Sequence, residues 1–129
     1  MAIHLRLDPL GGIAGDMFIA AMLDAFPEHS GGTLASIRSA GVSDDWHISV
    51  PEFKDDVFCG KRFSILAPSD SDLPHHHRYK EIVGRLDRSS LERGVCKRAV
   101  RIFELLAQAE AEVHGVAVED VTFHEVGAW

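Results

Sequence analysis

An α+β fold follows from three features of the sequence. Residues 46–53 and 57–66 read as two extended runs meeting at Lys54-Asp55-Asp56, the pattern of an antiparallel strand pair. Residues 3–7 alternate apolar and polar side chains, the period of a half-buried strand. Residues 89–114 instead place apolar side chains at the helical period. The resulting order is strand, helix, strand, strand, helix, strand. It predicts one small domain with a mixed or antiparallel sheet and helices on one face, and it permits a split β-α-β, ferredoxin-like topology.

Along the chain, Asp8-Pro9-Leu10-Gly11-Gly12 breaks the first strand. Asp16 is expected to cap a helix that runs to about Phe26, where Pro27 stops it. Residues 33–40 suit a second short helix, begun after Gly31-Gly32 and ended by Gly41. Pro51 marks an edge or bend in the strand pair. A loop over residues 67–78 precedes a helix over 79–86. The longer helix is expected to start at Ser89 or Ser90. Its stripe is Leu91, Val95, Ala99, Ile102, Phe103, Leu106, Ala109 and Val113, and it stops at His114-Gly115. Residues 121–126 close the fold as a last strand. No repeat or long linker suggests an internal boundary.

A chain of 129 residues can bury roughly 65–70% of its unfolded surface, enough for a core without staples. The net charge of -7 argues against a nucleic-acid surface and suits a cation as ligand. No stretch approaches the ~20 apolar residues of a membrane span, and the first six residues turn polar before a leader core can form. Cys59 and Cys96 lie far apart with no C-x-x-C, so they are read as free thiols filling the core of a cytoplasmic protein.

Three places carry chemistry. The first is His75-His76-His77, which folding does not ask for and which imidazole chemistry assigns to a metal. On an extended surface loop, favoured by Pro74, His75 and His77 share a side, with Asp70 or Asp72 to offset the charge of the ion. The second is the glycine-rich turn from Asp8 through Gly12 and Gly15 to Asp16, at a strand-to-helix junction. Its glycines let backbone N–H groups approach a ligand, while its two carboxylates suit a divalent ion or a Mg²⁺-bound phosphate. It is neither a Walker A loop nor a dinucleotide fingerprint, and a plain tight turn explains it about as well. The third pairs His114 with His124-Glu125 across a short turn; His114 alone reads as a helix C-cap. No serine or cysteine triad and no glycosidase-type carboxylate pair is visible.

Taken together, Asp8-x-x-x-Gly12-Ile13-Ala14-Gly15-Asp16-Met17, the histidine run, Ala109-Glu110-Ala111-Glu112-Val113-His114-Gly115 and Val121-x-Phe123-His124-Glu125-Val126-Gly127-Ala128 resemble the LarC family. That family inserts nickel into the pincer nucleotide cofactor of lactate racemase. The resemblance spans nearly the whole chain but about the first third of a full-length member. It implies CTP-dependent insertion of Ni²⁺ into pyridinium-3,5-bisthiocarboxylic acid mononucleotide, a lyase- or chelatase-type reaction, with Mg²⁺ accompanying the nucleotide. It places nickel loading at the histidine run. Members continue past the Gly-Ala where Trp129 closes this chain. The expectation is therefore the N-terminal nickel-binding domain, residues 1–129, of a fragment, truncated product or split protein. Such a chain loads nickel but does not insert it alone, and its partners are the missing C-terminal region or further copies of itself. The competing reading is a non-catalytic nickel or zinc store or carrier.

Overall fold

The computed structural model describes residues 3–68 and 77–123. The chain divides into two compact units: Met1–Gly31 with His47–Leu66, and Gly32–Trp46 with Ala67–Trp129. Both mix helix with short antiparallel ladders, so the α+β class holds. The sheet is not continuous among the described residues; the strands form three two-stranded ladders.

In the first unit, helix α1 (Gly15–Ala25) ends where Pro27 follows, with Phe26 N–H closing onto Met22 O at 2.9 Å. A 3-10 turn, Pro27–His29, leads away from it. The hairpin forms as the sequence indicates, but in two short ladders. Strand β1 (His47–Ser49) pairs with β4 (Ser64–Leu66), and β2 (Glu52–Lys54) with β3 (Cys59–Lys61). The break falls at Pro51, which has no N–H for a ladder but whose carbonyl accepts from Arg62 N–H at 3.0 Å. Asp55 Oδ1 closes the turn by accepting from Val57 and Phe58 N–H at 2.8 and 2.6 Å, which holds its carboxyl below the ordinary value of 3.8. Ala20, Leu23 and Phe63 are the buried apolar residues of this unit.

Two expectations fail here. Residues 3–7 are not a strand, and Ile3 and Leu5 are 67% and 58% exposed. Alternation supplies one face, but a strand exists only when a second one pairs with it, and none does among the described residues. Asp16 is not the cap. Ala14 holds that position without a side-chain bond, and Asp16 sits inside the first turn, where its charge complements the helix dipole.

The second unit packs helices. Helix α2 (Ser30–Ser39) crosses into it, starting before Gly31-Gly32 rather than after, because the 3-10 turn feeds straight into it. Arg38 ties down the loop beyond, donating to the carbonyls of Ser43 and Trp46. Strand β5 (His77–Arg78) pairs antiparallel with β6 (Thr122–Phe123), and the pairing runs on through Tyr79 N–H to Val121 O at 3.0 Å. Helix α3 (Tyr79–Arg88) follows β5, and helix α4 (Arg93–His114) packs on α3. Ile82, Leu86, Ala107, Ala111, Val121 and Phe123 form the core, with Phe103 and Phe123 rings 6.2 Å apart.

Helix α4 ends as expected at Gly115 (φ 67°), whose N–H reaches Ala111 O at 2.8 Å. Its start and its phase differ. Glu92, not a serine, is the cap, accepting from Gly94 and Val95 N–H at 2.8 and 3.2 Å; those bonds hold its carboxyl below the ordinary range. Ser89 instead donates to Leu86 O at 2.6 Å, closing α3. The buried stripe runs through Ala107 and Ala111, while Ile102, Leu106 and Val113 of the expected stripe are exposed. Small alanines let α3 and the β6 segment approach closely, and Phe103 fills the space beside them. Cysteine placement is also mixed. Cys59 is exposed rather than a core filler, whereas Cys96 packs against the core with Sγ 3.5 Å from Leu86 O.

Candidate functional site

Of the histidine triplet, His77 lies within the described residues; His75, His76, Asp70 and Asp72 lie outside them, as do His124 and Glu125. His77 does not sit on a surface loop. It begins β5 opposite Phe123 and is only 6% exposed. The pairing of residues 79 and 121 by a backbone bond makes 77 and 123, two residues on, an equivalent hydrogen-bonded pair with side chains on the same face of the ladder. Phe123 goes into the core, and His77 goes with it.

The imidazole Nε2 of His77 is buried and has no hydrogen-bond partner among the described residues. An orphaned buried nitrogen of this kind costs about 1–3 kcal/mol of desolvation. It is also a nitrogen left open to a ligand, since a lone pair engaged elsewhere cannot bind a cation. Among the described residues, no group of three or more His, Cys, Asp or Glu side chains is placed to hold a metal.

His114 stands at the C-terminus of α4, exposed, with Nε2 3.2 Å from Glu110 Oε2 one turn back. The two line a shallow open pocket with Asp120 and Thr122. His114 is thus joined to a carboxylate of its own helix, a partner that the sequence pairing with His124-Glu125 did not name.

In the first unit, Leu10 N–H bonds to Asp8 O at 2.9 Å and Gly12 N–H to Pro9 O at 3.2 Å, so the loop is a pair of tight turns. Gly11 and Gly12 have φ of 84° and 102°, a region that favours glycine; Gly15 has no such constraint. The Asp8 carboxylate pairs with Arg6 Nε at 3.2 Å, both well exposed, an interaction worth little. Asp16 faces a different neighbourhood. It lines an open cleft with Met17, Ala20, Phe53, Lys61, Arg62 and Phe63. Lys61 Nζ donates to Leu23 O at 3.3 Å, and the Arg62 guanidinium lies 4.7 Å over the Phe53 ring.

Sequence reasoning missed this cleft. The overall charge of -7 hides two adjacent cations, and the visible signal was the run Lys61-Arg62-Phe63 in a hairpin arm that folds back toward α1. Apolar rings and two cations can receive an anion that carries a flat ring.

Among the described residues no helix is long and apolar enough to cross a membrane. No solved structure matches the chain. A putative nickel insertion protein of Myxococcus xanthus (strain DK1622) is 36% identical over 128 residues, covering 96% of this chain and 31% of that protein. The pyridinium-3,5-bisthiocarboxylic acid mononucleotide nickel insertion protein of Geobacillus kaustophilus (strain HTA426) is 34% identical over 133 residues, again 96% and 31%. A putative nickel insertion protein of Roseiflexus castenholzii is 38% identical, covering 96% and 30%. The chain therefore spans about a third of the length of these relatives. The family model described as nickel insertion protein matches residues 5–129, and the chain belongs to that family.

Proposed function

We propose that this chain is the N-terminal, nickel-loading part of a protein that inserts Ni²⁺ into pyridinium-3,5-bisthiocarboxylic acid mononucleotide. The reaction is CTP-dependent, takes place in the cytoplasm and serves maturation of the lactate racemase cofactor. The observation that carries the loading role is the buried Nε2 of His77, which has no hydrogen-bond partner among the described residues.

The ligands are His77 with His75 or His76, joined by His124 and Glu125; His114 with Glu110 forms an auxiliary polar site. Chain connectivity supports the grouping. His76 and His124 are the sequence neighbours of His77 and Phe123, which are paired across the β5–β6 ladder. Imidazole nitrogens with a carboxylate suit a borderline ion such as Ni²⁺, and selectivity over Cu²⁺ then rests on geometry and supply.

The cleft beside Asp16 takes the phosphorylated precursor, its phosphate toward Lys61 and Arg62, its ring against Phe53 or Phe63. Asp16 lines this cleft, and its carboxylate, with Asp8, Gly12 and Gly15 on the chain just before it, can receive the Mg²⁺ that accompanies CTP. The test is calorimetric titration with Ni²⁺ of the chain and of a variant with His75, His76 and His77 all replaced by alanine. Loss of the high-affinity event is expected in the variant. Unchanged affinity and stoichiometry would remove the assignment. Nickel binding by the full-length protein with no insertion on adding CTP and precursor would favour a store or carrier.

A further inference from the structure

Helix α4 carries a second apolar face that its own unit leaves largely exposed. The core face holds Phe103, Ala107 and Ala111. About 100° round the helix, Ile102, Leu105, Leu106 and Val113 are 59%, 51%, 40% and 78% exposed, and Ala109 lies among them. Exposed leucines and isoleucines scattered singly need no account, but these are ordered. Together with half-buried Val95 and with Ala99, which also packs against the core, Ile102, Leu106, Ala109 and Val113 alternate spacings of four and three, the period of a coiled-coil seam.

The seam is self-complementary in one orientation. Laid antiparallel on a second α4 and centred between Ile102 and Leu106, it pairs Ile102 with Leu106, Ala99 with Ala109, and Val95 with Val113. Each layer thus joins side chains of matching size. The flanking positions agree: Arg98 of one copy faces Glu112 of the other, twice by the two-fold symmetry, and Leu105 meets Leu105 at the axis. A parallel pairing would instead set Arg98 against Phe103 and Leu105 against Glu110, matching neither charge nor polarity. A two-fold contact needs the same patch on both partners to complement itself, and this one does. We propose that this face of α4 docks a second copy of the chain, antiparallel, across the Ile102–Leu106 centre.

Two of the six layers are alanine pairs, so the association is expected to be reversible and concentration-dependent rather than permanent. The proposal does not depend on nickel, and its test is run metal-free on the whole chain by sedimentation velocity. The parent is expected to pass from monomer to dimer as concentration rises. Leu106→Asp puts a carboxylate into each half of the seam. It should give monomer at every concentration with unchanged circular dichroism, because Leu106 supports no core; Gln108→Asp, away from the seam, should leave the dimer intact. Arg98→Glu and Glu112→Arg should each weaken association roughly tenfold, since one change converts two attractions into two repulsions. The double variant should restore it.

That rescue cannot arise within one chain. Fourteen residues of helix separate positions 98 and 112 by about 21 Å, beyond a Debye length of about 8 Å. Monomer behaviour of the parent up to its solubility limit would overturn the proposal. So would a dimer that survives Leu106→Asp, or singles that weaken it with no recovery in the double.

Discussion

The second unit buries six side chains in one cluster and rings it with half-buried neighbours, whereas the first buries three apolar residues and leaves Ile3, Leu5, Leu7, Leu10, Val57 and Phe58 exposed. Both contain helix and ladder, so secondary structure does not separate them. Amphipathic helices do. Helices α3 and α4 pack along two apolar faces and need only the short β5–β6 ladder to close over them. The first unit pairs one helix of 11 residues with a hairpin broken at Pro51, and many of its apolar side chains stay exposed. The candidate sites follow the same division: a buried imidazole in the tightly packed unit, and an open, charged cleft in the loose one.

The largest effect expected from this difference comes from cutting the same chemistry out of both units. Phe123→Ala removes a ring that is 4% exposed and tilted against Phe103, and should cost about 3–5 kcal/mol. Phe58→Ala, at 69% exposure, should change stability by no more than about 0.5 kcal/mol. Chemical denaturation followed by circular dichroism checks both. Similar costs at the two positions would mean that the first unit is held together more tightly than its burial indicates.

His77→Leu sharpens the contrast between folding and function within the second unit. Without metal, an apolar side chain in place of an orphaned imidazole should raise stability by about 1 kcal/mol. With saturating Ni²⁺ the order should reverse, because only the parent gains the linkage term from binding. Thermal melts with and without Ni²⁺ read both halves. A variant that is less stable than the parent without metal would make His77 a structural residue.

Asp16→Asn tests the loose unit at smaller scale. Loss of one charge from the first turn of α1 should cost about 0.3–1 kcal/mol. If Asp16 serves the cleft, a Mg²⁺-dependent change in nucleotide binding should vanish as well; an unaltered response returns it to the helix dipole alone.

How much could be read from the sequence divides along the same line. The stop of α1 at Pro27, the bend at Pro51 and the Gly115 terminus of α4 were legible because each depends on one residue's backbone chemistry. Residues 3–7 were misread because alternation offers a face without saying what pairs with it. The Glu92 cap was missed because serine is the commoner cap and two stood nearby; Ser89 went to close the preceding helix instead. The phase of α4 was turned by about one residue because its sequence holds two apolar stripes, and only tertiary packing chooses between them. For the site, the histidine triplet was visible as composition. That His77 turns inward was not, since it depends on a ladder with Phe123, 46 residues away.

Each unit also has one carboxylate that the fold holds in its charged form, and their titration gives the smallest of these effects. Asp55 accepts two backbone N–H bonds in the hairpin turn, and Glu92 accepts two at the start of α4. In both, backbone donors favour the ionised form, so the folded pKa lies below the unfolded one. The sign follows by linkage. The stabilisation is complete above the unfolded pKa and is lost as pH falls through the lowered folded value, so it is present at neutrality and disappears only in acid. Asn at position 55 and Gln at position 92 keep an oxygen to accept these bonds but cannot titrate. Asp55→Asn should therefore flatten the acid dependence of amide exchange at Val57 and Phe58 while leaving Gly94 and Val95 as in the parent. Glu92→Gln should do the reverse. If either substitution flattened both sets of amides, the two units would be opening as one cooperative body, and the contrast in burial would have no counterpart in how they unfold.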